Sequence, residues 1–363
     1  GDIKLAALSD TDTTNVTGTE LVTNGTFASN ISDWTALRSA VLSHDSGAIR
    51  VTNAGTTASM ASQAVTVEIG KEYTYSFTRV SGTRPVYARI GTTSSGGFYL
   101  TGTVSSGSYT NTFVATTTTA YISLQINSGG SGDYAVFDNV SITIADTDRS
   151  VNANGLAVNG TITKTAVATG ADLVGYSGFS TSNYLEQPYN SDLNFGTGDF
   201  SVMAWVNSVD GYSILLSKSP ATSLSAPYFE FAINSNGTLV WLGNNSTSKI
   251  TSTNSITGSW HLIVFTRVGG TGGLYIDGVL DVSSANTDNY NHSSADTFRL
   301  GYRQDSYSGT YGGKIALLRI SATVPSAEQI KEIYEAEKVL FQTNAKATLN
   351  GSSDAVTALA YDD

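Results

Sequence analysis

The residues best suited to hold a ligand are aromatic side chains that stand near an arginine in the first half of the chain. Aromatic rings pack against the C–H faces of sugars, and guanidinium or amide groups hydrogen-bond to sugar hydroxyls. One such cluster comprises Tyr87, Arg89, Phe98, Tyr99 and Tyr109. It predicts a saccharide-binding surface with Tyr87, Arg89 and Tyr99 as ligand contacts. Aromatic residues at alternate strand positions also pair within cores, so that alternative stays open.

Two polar segments that carry tyrosine are further candidate ligand loops in the second half. Residues 286–290 are Asn-Thr-Asp-Asn-Tyr, and residues 304–311 are Gln-Asp-Ser-Tyr-Ser-Gly-Thr-Tyr. Such composition is typical of binding loops, because tyrosine offers a large and rigid contact surface. The predicted ligand contacts here are Trp241, Asp288, Tyr290, Asp305, Tyr307 and Tyr311. Solvated turns that bind nothing are the alternative.

The sequence contains no grouping that would support catalysis. Glycoside hydrolysis needs two facing carboxylates, and no E-x-D-x-E-like run is present. The three histidines, His44, His261 and His292, are scattered along the chain, and there is no cysteine. Neither a P-loop nor a G-x-S-x-G turn occurs. The sequence therefore predicts a protein that is not an enzyme.

Composition narrows the class of partner. The 363 residues include 30 acidic and 19 basic side chains, for a formal net charge of −11. A chain with this excess of acidic residues lacks the positive charge that binds the phosphate backbone of nucleic acids or anionic lipid. No apolar run approaches the roughly 20 residues that span a bilayer. Binding to nucleic acid and insertion into a membrane are therefore not expected.

The elements that must position the candidate residues are β-strands. Polar and apolar residues alternate at residues 73–78, 120–126 and 229–233, between clusters of Gly, Asn and Ser. The length suits two domains. We predict an all-β fold of two tandem antiparallel β-sandwich (jelly-roll) domains with one short C-terminal helix. Pro325 and a Ser326–Gln329 capping box place that helix at residues 326–341.

The first predicted sandwich spans residues 20–146. It opens with N-G-T-F at residues 24–27 and closes with F-D-N-V at residues 137–140. This bracketing resembles the carbohydrate-binding modules of the family 4/9/22 type, in which a structural calcium commonly lies near the two strands. Asp138 matches the closing acid of that family, whereas Ala28 stands where the family has an acid. The resemblance implies a structural calcium, with Asp138, Asp45 and the backbone of Asn24 as candidate ligands.

The second predicted sandwich spans residues 178–345. Seven motifs follow one another there, at residues 183–186, 199–206, 214–218, 260–266, 274–278, 298–301 and 313–320. In this order they resemble laminin-G/concanavalin A-like lectin and glucanase domains. Relatives usually carry acids where this chain has Ala316 and Leu317, which predicts a buried strand face. The fold serves lectins, adhesion modules and enzymes alike, so it implies no single function.

Three segments lie outside the predicted sandwiches. Residues 1–19 form an N-terminal segment, and residues 147–177 join the two sandwiches. Residues 346–363 have the pattern of the start of a further domain, such as a β-propeller. The run from 148 to 178 resembles segments of tailed-phage virion proteins that carry laminin-G-like domains.

Together these features predict a non-enzymatic protein of the virion surface, in a tail fibre, tail tip or capsid appendage. Its expected partners are host cell-surface glycans and other virion proteins, and a homo-oligomer such as a trimer would suit a fibre. Two alternatives stay open. One is a structural spacer of the virion that binds no sugar, and the other is a set of accessory binding modules from a secreted polysaccharide-degrading enzyme.

Overall fold

The computed structural model describes residues 3–55, 57–127, 130–187, 189–209, 211–220, 226–293, 296–303 and 309–347. These residues form two β-sandwiches and one α-helix, which confirms the all-β fold class. The strands are β1 (Ile3–Ala7), β2 (Val16–Gly18), β3 (Thr35–Leu37), β4 (Ala40–His44), β5 (Ile49–Asn53), β6 (Met60–Thr66), β7 (Glu72–Gly82), β8 (Val86–Thr93), β9 (Gly96–Val104), β10 (Gly107–Val114), β11 (Thr119–Ile126), β12 (Tyr134–Asp146), β13 (Leu156–Ala166), β14 (Val174–Ser177), β15 (Tyr184–Gln187), β16 (Phe200–Asn207), β17 (Ser213–Ser219), β18 (Phe229–Ile233), β19 (Thr238–Gly243), β20 (Thr247–Ser255), β21 (Trp260–Val268), β22 (Thr271–Ile276), β23 (Val279–Ala285), β24 (Thr297–Leu300) and β25 (Lys314–Ser321). The helix is α1 (Ala327–Glu337), and three 3-10 helices occupy Ser191–Leu193, Asn244–Ser246 and Lys338–Phe341.

The first sandwich is built from two antiparallel sheets. The front sheet has the strand order β3-β6-β11-β8-β9, and the back sheet has the order β4-β5-β12-β7-β10. Alternate residues of each strand face the space between the sheets, where Phe77 packs edge-on against Phe137 with ring centroids 5.7 Å apart. This core lies between the two sheets, so the other face of the front sheet points away from it.

The second sandwich also has two sheets around one aromatic core. One sheet runs β1-β25-β16-β21-β22-β23, and the other runs β13-β15-β24-β17-β18-β19-β20. Trp241 and Phe265 stack between the sheets with centroids 3.8 Å apart. The hairpin from β22 to β23 turns at Asp277 and Gly278, whose φ values of 51° and 81° are those of the Asp-Gly turn that the sequence predicts.

The N-terminal and joining segments are strands of the second sandwich. β1 pairs with β25, where Ile3 lies opposite Ser321. β2 pairs with β13, and β13 itself pairs with β12, β14 and β15. The first sandwich is therefore inserted between β2 and β13. Residues 348–363, predicted to begin a further domain, lie outside the described residues.

The predicted helix is present and covers one face of the second sandwich. Ser326 is its N-cap, and the capping box with Gln329 forms as predicted. Trp205 stacks on Tyr334 at 5.7 Å and donates a hydrogen bond from Nε1 to Glu337 at 2.8 Å. Under this cover Ala316 and Leu317 are buried, as their apolar types predict. Within the described part of the chain, no helix is both long and apolar enough to cross a bilayer.

Replacing Ser326 by alanine should lower the free energy of unfolding by about 1 kcal/mol, because the N–H of Gln329 then loses its capping hydroxyl. Urea unfolding followed by tryptophan fluorescence measures the change, since Trp205 packs on this helix. Ser43→Ala, at an exposed position in β4, is the matched control. Equal stability of the two variants would show that the cap contributes nothing.

Candidate functional site

The outer face of the front sheet collects side chains suited to sugars. In β11, Ala120, Ile122 and Leu124 point into the core, so Tyr121, Ser123 and Gln125 point outward. Across the β8 ladder, these three lie opposite Gly91, Arg89 and Tyr87, in that order. Because cross-strand neighbours share a face of the sheet, Tyr87, Arg89, Tyr121 and Gln125 lie on one face, which we call the front face. Gln125 is buried there, with 3% of its surface exposed.

Arg89 lies between two aromatic rings on the front face. Its guanidinium carbon is 4.5 Å from the ring centroid of Tyr87 and 4.6 Å from that of Phe98. Nη1 donates a hydrogen bond to Oε1 of Gln125 at 2.5 Å. Burial lowers the pKa of Arg89, and the nearby positive charge of Arg38 lowers it further. An arginine holds its charge in such surroundings, so the front face presents a cation flanked by rings.

A groove of about 420 Å³ lies beside this cation. Its lining comprises Thr23, Asp33, Thr35, Leu37, Ser62, Gln63, Ala64, Ser94 and Tyr121. The β8–β9 turn bends over the sheet here, because the carbonyl of Ser94 accepts a hydrogen bond from Ser123 at 3.3 Å. Arg38 donates to the carbonyl of Ser95 at 3.2 Å and braces the same turn. The turn thus lies between Arg89 and the groove.

The predicted cluster of aromatic residues divides between the two faces of the sheet. The β8–β9 pairing shifts between Ile90 and Gly91, so Phe98 comes to lie opposite Gly91 on the outer face. Tyr99 therefore points inward and stacks on Phe113 at 5.3 Å. The prediction of Tyr99 as a ligand contact is corrected for this reason. Tyr109 also packs inward, 5.4 Å from Phe77.

Three predicted contacts in the second sandwich are buried and cannot touch a ligand. Trp241 and Tyr290 have no exposed surface, and Tyr311 has 1%. Trp241 donates from Nε1 to the hydroxyl of Tyr290 at 3.1 Å, which in turn hydrogen-bonds to Asn286. The polar groups of Trp241 and Tyr290 therefore form hydrogen bonds within the core. The prediction of ligand contact is corrected for all three residues.

Asp288 fixes its own loop. Its carboxylate accepts the backbone N–H of Asn244 at 2.9 Å and pairs with Lys249 at 3.1 Å. Arg267, fully buried, donates to the carbonyl of Asp288 at 2.7 Å and to those of Gly196 and Gly198. The segment 286–290 is therefore anchored to the sandwich. Asp305 and Tyr307, the other candidates from this half, lie outside the described residues.

Glu230 is a buried carboxylate with every oxygen engaged. Oε1 accepts the hydroxyl of Tyr212, and Oε2 accepts the hydroxyl of Tyr228 at 2.6 Å and Nη1 of Arg303 at 3.0 Å. A carboxylate tied in this way stabilises the sheet. It does not present a free oxygen to a substrate in this arrangement.

The candidate calcium ligands each have a protein partner. Asp45 lies 3.7 Å from Nη1 of Arg50, and Asp138 accepts the backbone N–H of Asn139 at 2.7 Å. The carbonyl of Asn24 accepts Nε1 of Trp34 at 3.2 Å. Among the described residues no group of three or more Asp, Glu, His or Cys side chains could hold a metal ion. The geometry gives calcium no assembled site, and calcium stays a prediction.

Sequence reasoning missed the groove and two of the residues on the front face, Tyr121 and Gln125. A signal was present, because residues 120–126 alternate strictly between apolar and polar types. Of the three polar residues in that run, Tyr121 and Gln125 have the larger side chains, and both point away from the core. What alternation could not supply was the register that brings them beside Arg89.

The second sandwich has the fold of concanavalin A-like domains. The family model of the concanavalin A-like lectin/glucanases superfamily, of the laminin G type, matches residues 179–331, which is less than half of the chain. The match agrees with the motif order in the sequence. A search of curated proteins finds no match.

Several solved structures are similar over about half of this chain. The binding domain of botulinum neurotoxin serotype G is 16% identical, with 53% of this chain and 48% of that chain covered and a TM-score of 0.42. The binding domain of Paraclostridial mosquitocidal protein 1 is 15% identical, with 53% and 49% covered and a TM-score of 0.41. Domain 4 of an extracellular arabinanase from Geobacillus stearothermophilus, in complex with arabinotriose, is 17% identical, with 52% and 92% covered and a TM-score of 0.41. The chain spans about half the length of the toxin chains, and these are likenesses of fold alone.

Proposed function

We propose that this chain is a non-enzymatic attachment protein of a phage virion that binds host cell-surface glycans. The observation that carries the proposal is the front face, which sets Tyr87, Arg89 and Phe98 beside Tyr121 and an open groove. Rings give apolar area to the C–H faces of a sugar, and the hydroxyl, amide and guanidinium groups beside them suit its hydroxyls.

The first sandwich supplies the ligand site, and the second serves as the scaffold that displays it. The burial of Trp241, Tyr290 and Tyr311 supports this division, because it removes three of the four aromatic contacts predicted in the second sandwich. The fourth, Tyr307, lies outside the described residues. The virion setting is supported by the resemblance of residues 148–178 to tailed-phage proteins. Many copies on one particle would raise avidity by roughly 10²–10⁴ over a single weak site.

A glycan array tests this proposal. The full chain is presented on a multivalent carrier, in calcium and again in chelator, together with Tyr121→Ala and Tyr87→Ala. The affinity of each variant should fall by about tenfold or more, because aromatic anchors commonly contribute more than about 1 kcal/mol. Tyr134→Ala, in the back sheet beneath Arg50, is the matched control and should bind as the wild type does.

Each outcome of the array has a defined meaning. Loss of binding in both front-face variants, with the control intact, supports the site. Loss of binding in chelator would support the predicted calcium. A folded, multivalent chain that binds nothing on a broad array would contradict glycan attachment.

A second candidate function is that of an assembly protein which contacts other virion proteins and binds no sugar. A largely apolar groove of about 680 Å³ between α1 and the β1–β25–β16 sheet favours it. Ile3, Met203 and Ile333 contribute apolar surface to its lining. This candidate predicts that the chain binds nothing on the array and captures virion proteins, and that Ile3→Asp, at an exposed position of the groove, abolishes the capture.

A further inference from the structure

Two arginines near one another on the front face have no acidic partner. Arg38 follows β3, and Arg89 lies in β8. Neither belongs to any ion pair within the described residues. Most other arginines of the described chain do pair with acids, as Arg84 does with Asp133 at 3.1 Å and Arg299 with Glu186 at 2.6 Å.

Most of the hydrogen-bonding capacity of Arg89 is unused. A guanidinium carries five N–H groups, and among the described residues Nη1 alone has a hydrogen-bond partner, the Oε1 atom of Gln125. Nε is buried, and no acceptor in the described part of the chain reaches it. The N–H groups of Nη2 are the donors left for a ligand that brings acceptor oxygens to the front face.

The two positive charges also repel each other. Arg38 donates to the carbonyl of Ser95, and the adjacent carbonyl of Ser94 accepts from Ser123, which lies opposite Arg89 in the ladder. In this position the charge of Arg38 lowers the pKa of Arg89, after the larger effect of burial. Two neighbouring positive charges without an acidic partner destabilise the folded protein. The chain has a net charge of −11, yet none of its acidic residues pairs with these two arginines in the described structure. The hydroxyls of a neutral sugar could accept hydrogen bonds from the guanidinium groups but would leave the repulsion in place. An anionic group would both accept these hydrogen bonds and offset the positive charge, and carboxylate or phosphate matches the planar geometry of a guanidinium.

We propose that the front face recognises an acidic saccharide, whose carboxylate, sulfate or phosphate group pairs with Arg89 and Arg38 beside the rings of Tyr87 and Phe98. This inference rests on the proposed glycan-binding function and deepens it. The anionic group supplies the missing acceptors, and the sugar ring packs against the neighbouring aromatic surface and the groove.

The experiment measures binding of the full chain to a hexuronate oligosaccharide and to the same oligosaccharide with its carboxyl groups reduced to alcohols. A sulfated and a phosphorylated oligosaccharide of equal length distinguish the sources of charge. The acidic ligand should bind at least about tenfold more tightly than its neutral counterpart, as expected for a hydrogen-bonded charge pair.

Variants assign this preference to the two arginines. Arg38→Gln and Arg89→Gln should each remove most of the preference, while Arg84→Gln, paired with Asp133 elsewhere, should retain it. Arg38 is exposed and its hydrogen bond to the carbonyl of Ser95 lies at the surface, so Arg38→Gln carries the test even if Arg89→Gln loses stability.

The outcomes separate this inference from the function on which it rests. Equal binding of acidic and neutral ligands, with Tyr121→Ala still weakening both, would overturn the acidic class and leave glycan binding standing. Binding of only the sulfated or only the phosphorylated ligand would support the inference and name the source. Binding of none of the four ligands, with the wider array silent, would overturn the proposed function itself.

Discussion

Replacing Arg267 by alanine is expected to lower the free energy of unfolding by about 4 kcal/mol or more, which approaches the whole stability of many domains. The guanidinium is fully buried and donates to the carbonyls of Gly196, Gly198 and Asp288. It also packs against the rings of Phe200 and Tyr290, 4.8 and 4.9 Å from their centroids. Alanine would leave three carbonyls without this donor and a cavity beside the two rings.

Urea unfolding followed by the fluorescence of the buried Trp241 measures this loss. Arg267→Lys keeps the charge but not the planar fork, so it should lie between alanine and the wild type. Arg84→Ala, at an exposed ion pair, should change stability by no more than about 0.5–1 kcal/mol. A loss below about 1 kcal/mol in Arg267→Ala would contradict the role given to this arginine.

The second large effect is a dependence on pH that originates at Asp146. This residue ends β12 where the two sandwiches meet, and its Oδ2 accepts the N–H of Leu8 at 2.9 Å. Burial raises the pKa of Asp146 from the usual 3.8 to about 6. The folded protein therefore binds a proton more tightly than the unfolded chain does between these two values. The resulting stability is present below about pH 4 and is lost as the pH rises through 6.

The loss amounts to up to about 3 kcal/mol for this rise in pKa. Asp146→Asn should remove this part of the pH dependence and leave the protein at least as stable as the wild type at pH 7. Urea unfolding at intervals from pH 4.5 to 7.5 measures the slope. Asp45→Asn, at a surface ion pair, should keep the wild-type slope. Parallel curves for wild type and Asp146→Asn would refute the assignment.

The local chemistry of the sequence was enough to predict the all-β class and several of its elements, but not the insertion of the first sandwich between β2 and β13. Alternation in residues 120–126 gives β11 its inward and outward faces, and the Ser326–Gln329 box gives the start of α1. Asp277 and Gly278 need positive φ, so they place a hairpin without any tertiary information. These features depend on neighbours in the chain, which a sequence displays directly.

The candidate site was predicted only in part, because it depends on register and on burial. Tyr87, Arg89 and Phe98 were found, but a shift in the β8–β9 ladder reverses the face expected for Tyr99. Trp241 precedes polar residues and was therefore assigned to a loop surface, whereas it closes the core on Phe265. A large aromatic residue suits a core and a binding site equally well, and only packing decides between them.

The insertion of the first sandwich brings its two ends together. The backbone N–H of Leu21 donates to the carbonyl of Ile142 at 3.0 Å. Gly18 pairs with Gly160 of the second sandwich, and Leu156, the first residue of β13, pairs with Asp146 at the end of the first sandwich. A different sandwich whose ends are equally close can therefore be joined at the same two points without breaking the sheets of its host. Recombination at this junction would replace the whole first sandwich, with the ligand site proposed for it, in a single event, and the second sandwich would keep its sequence.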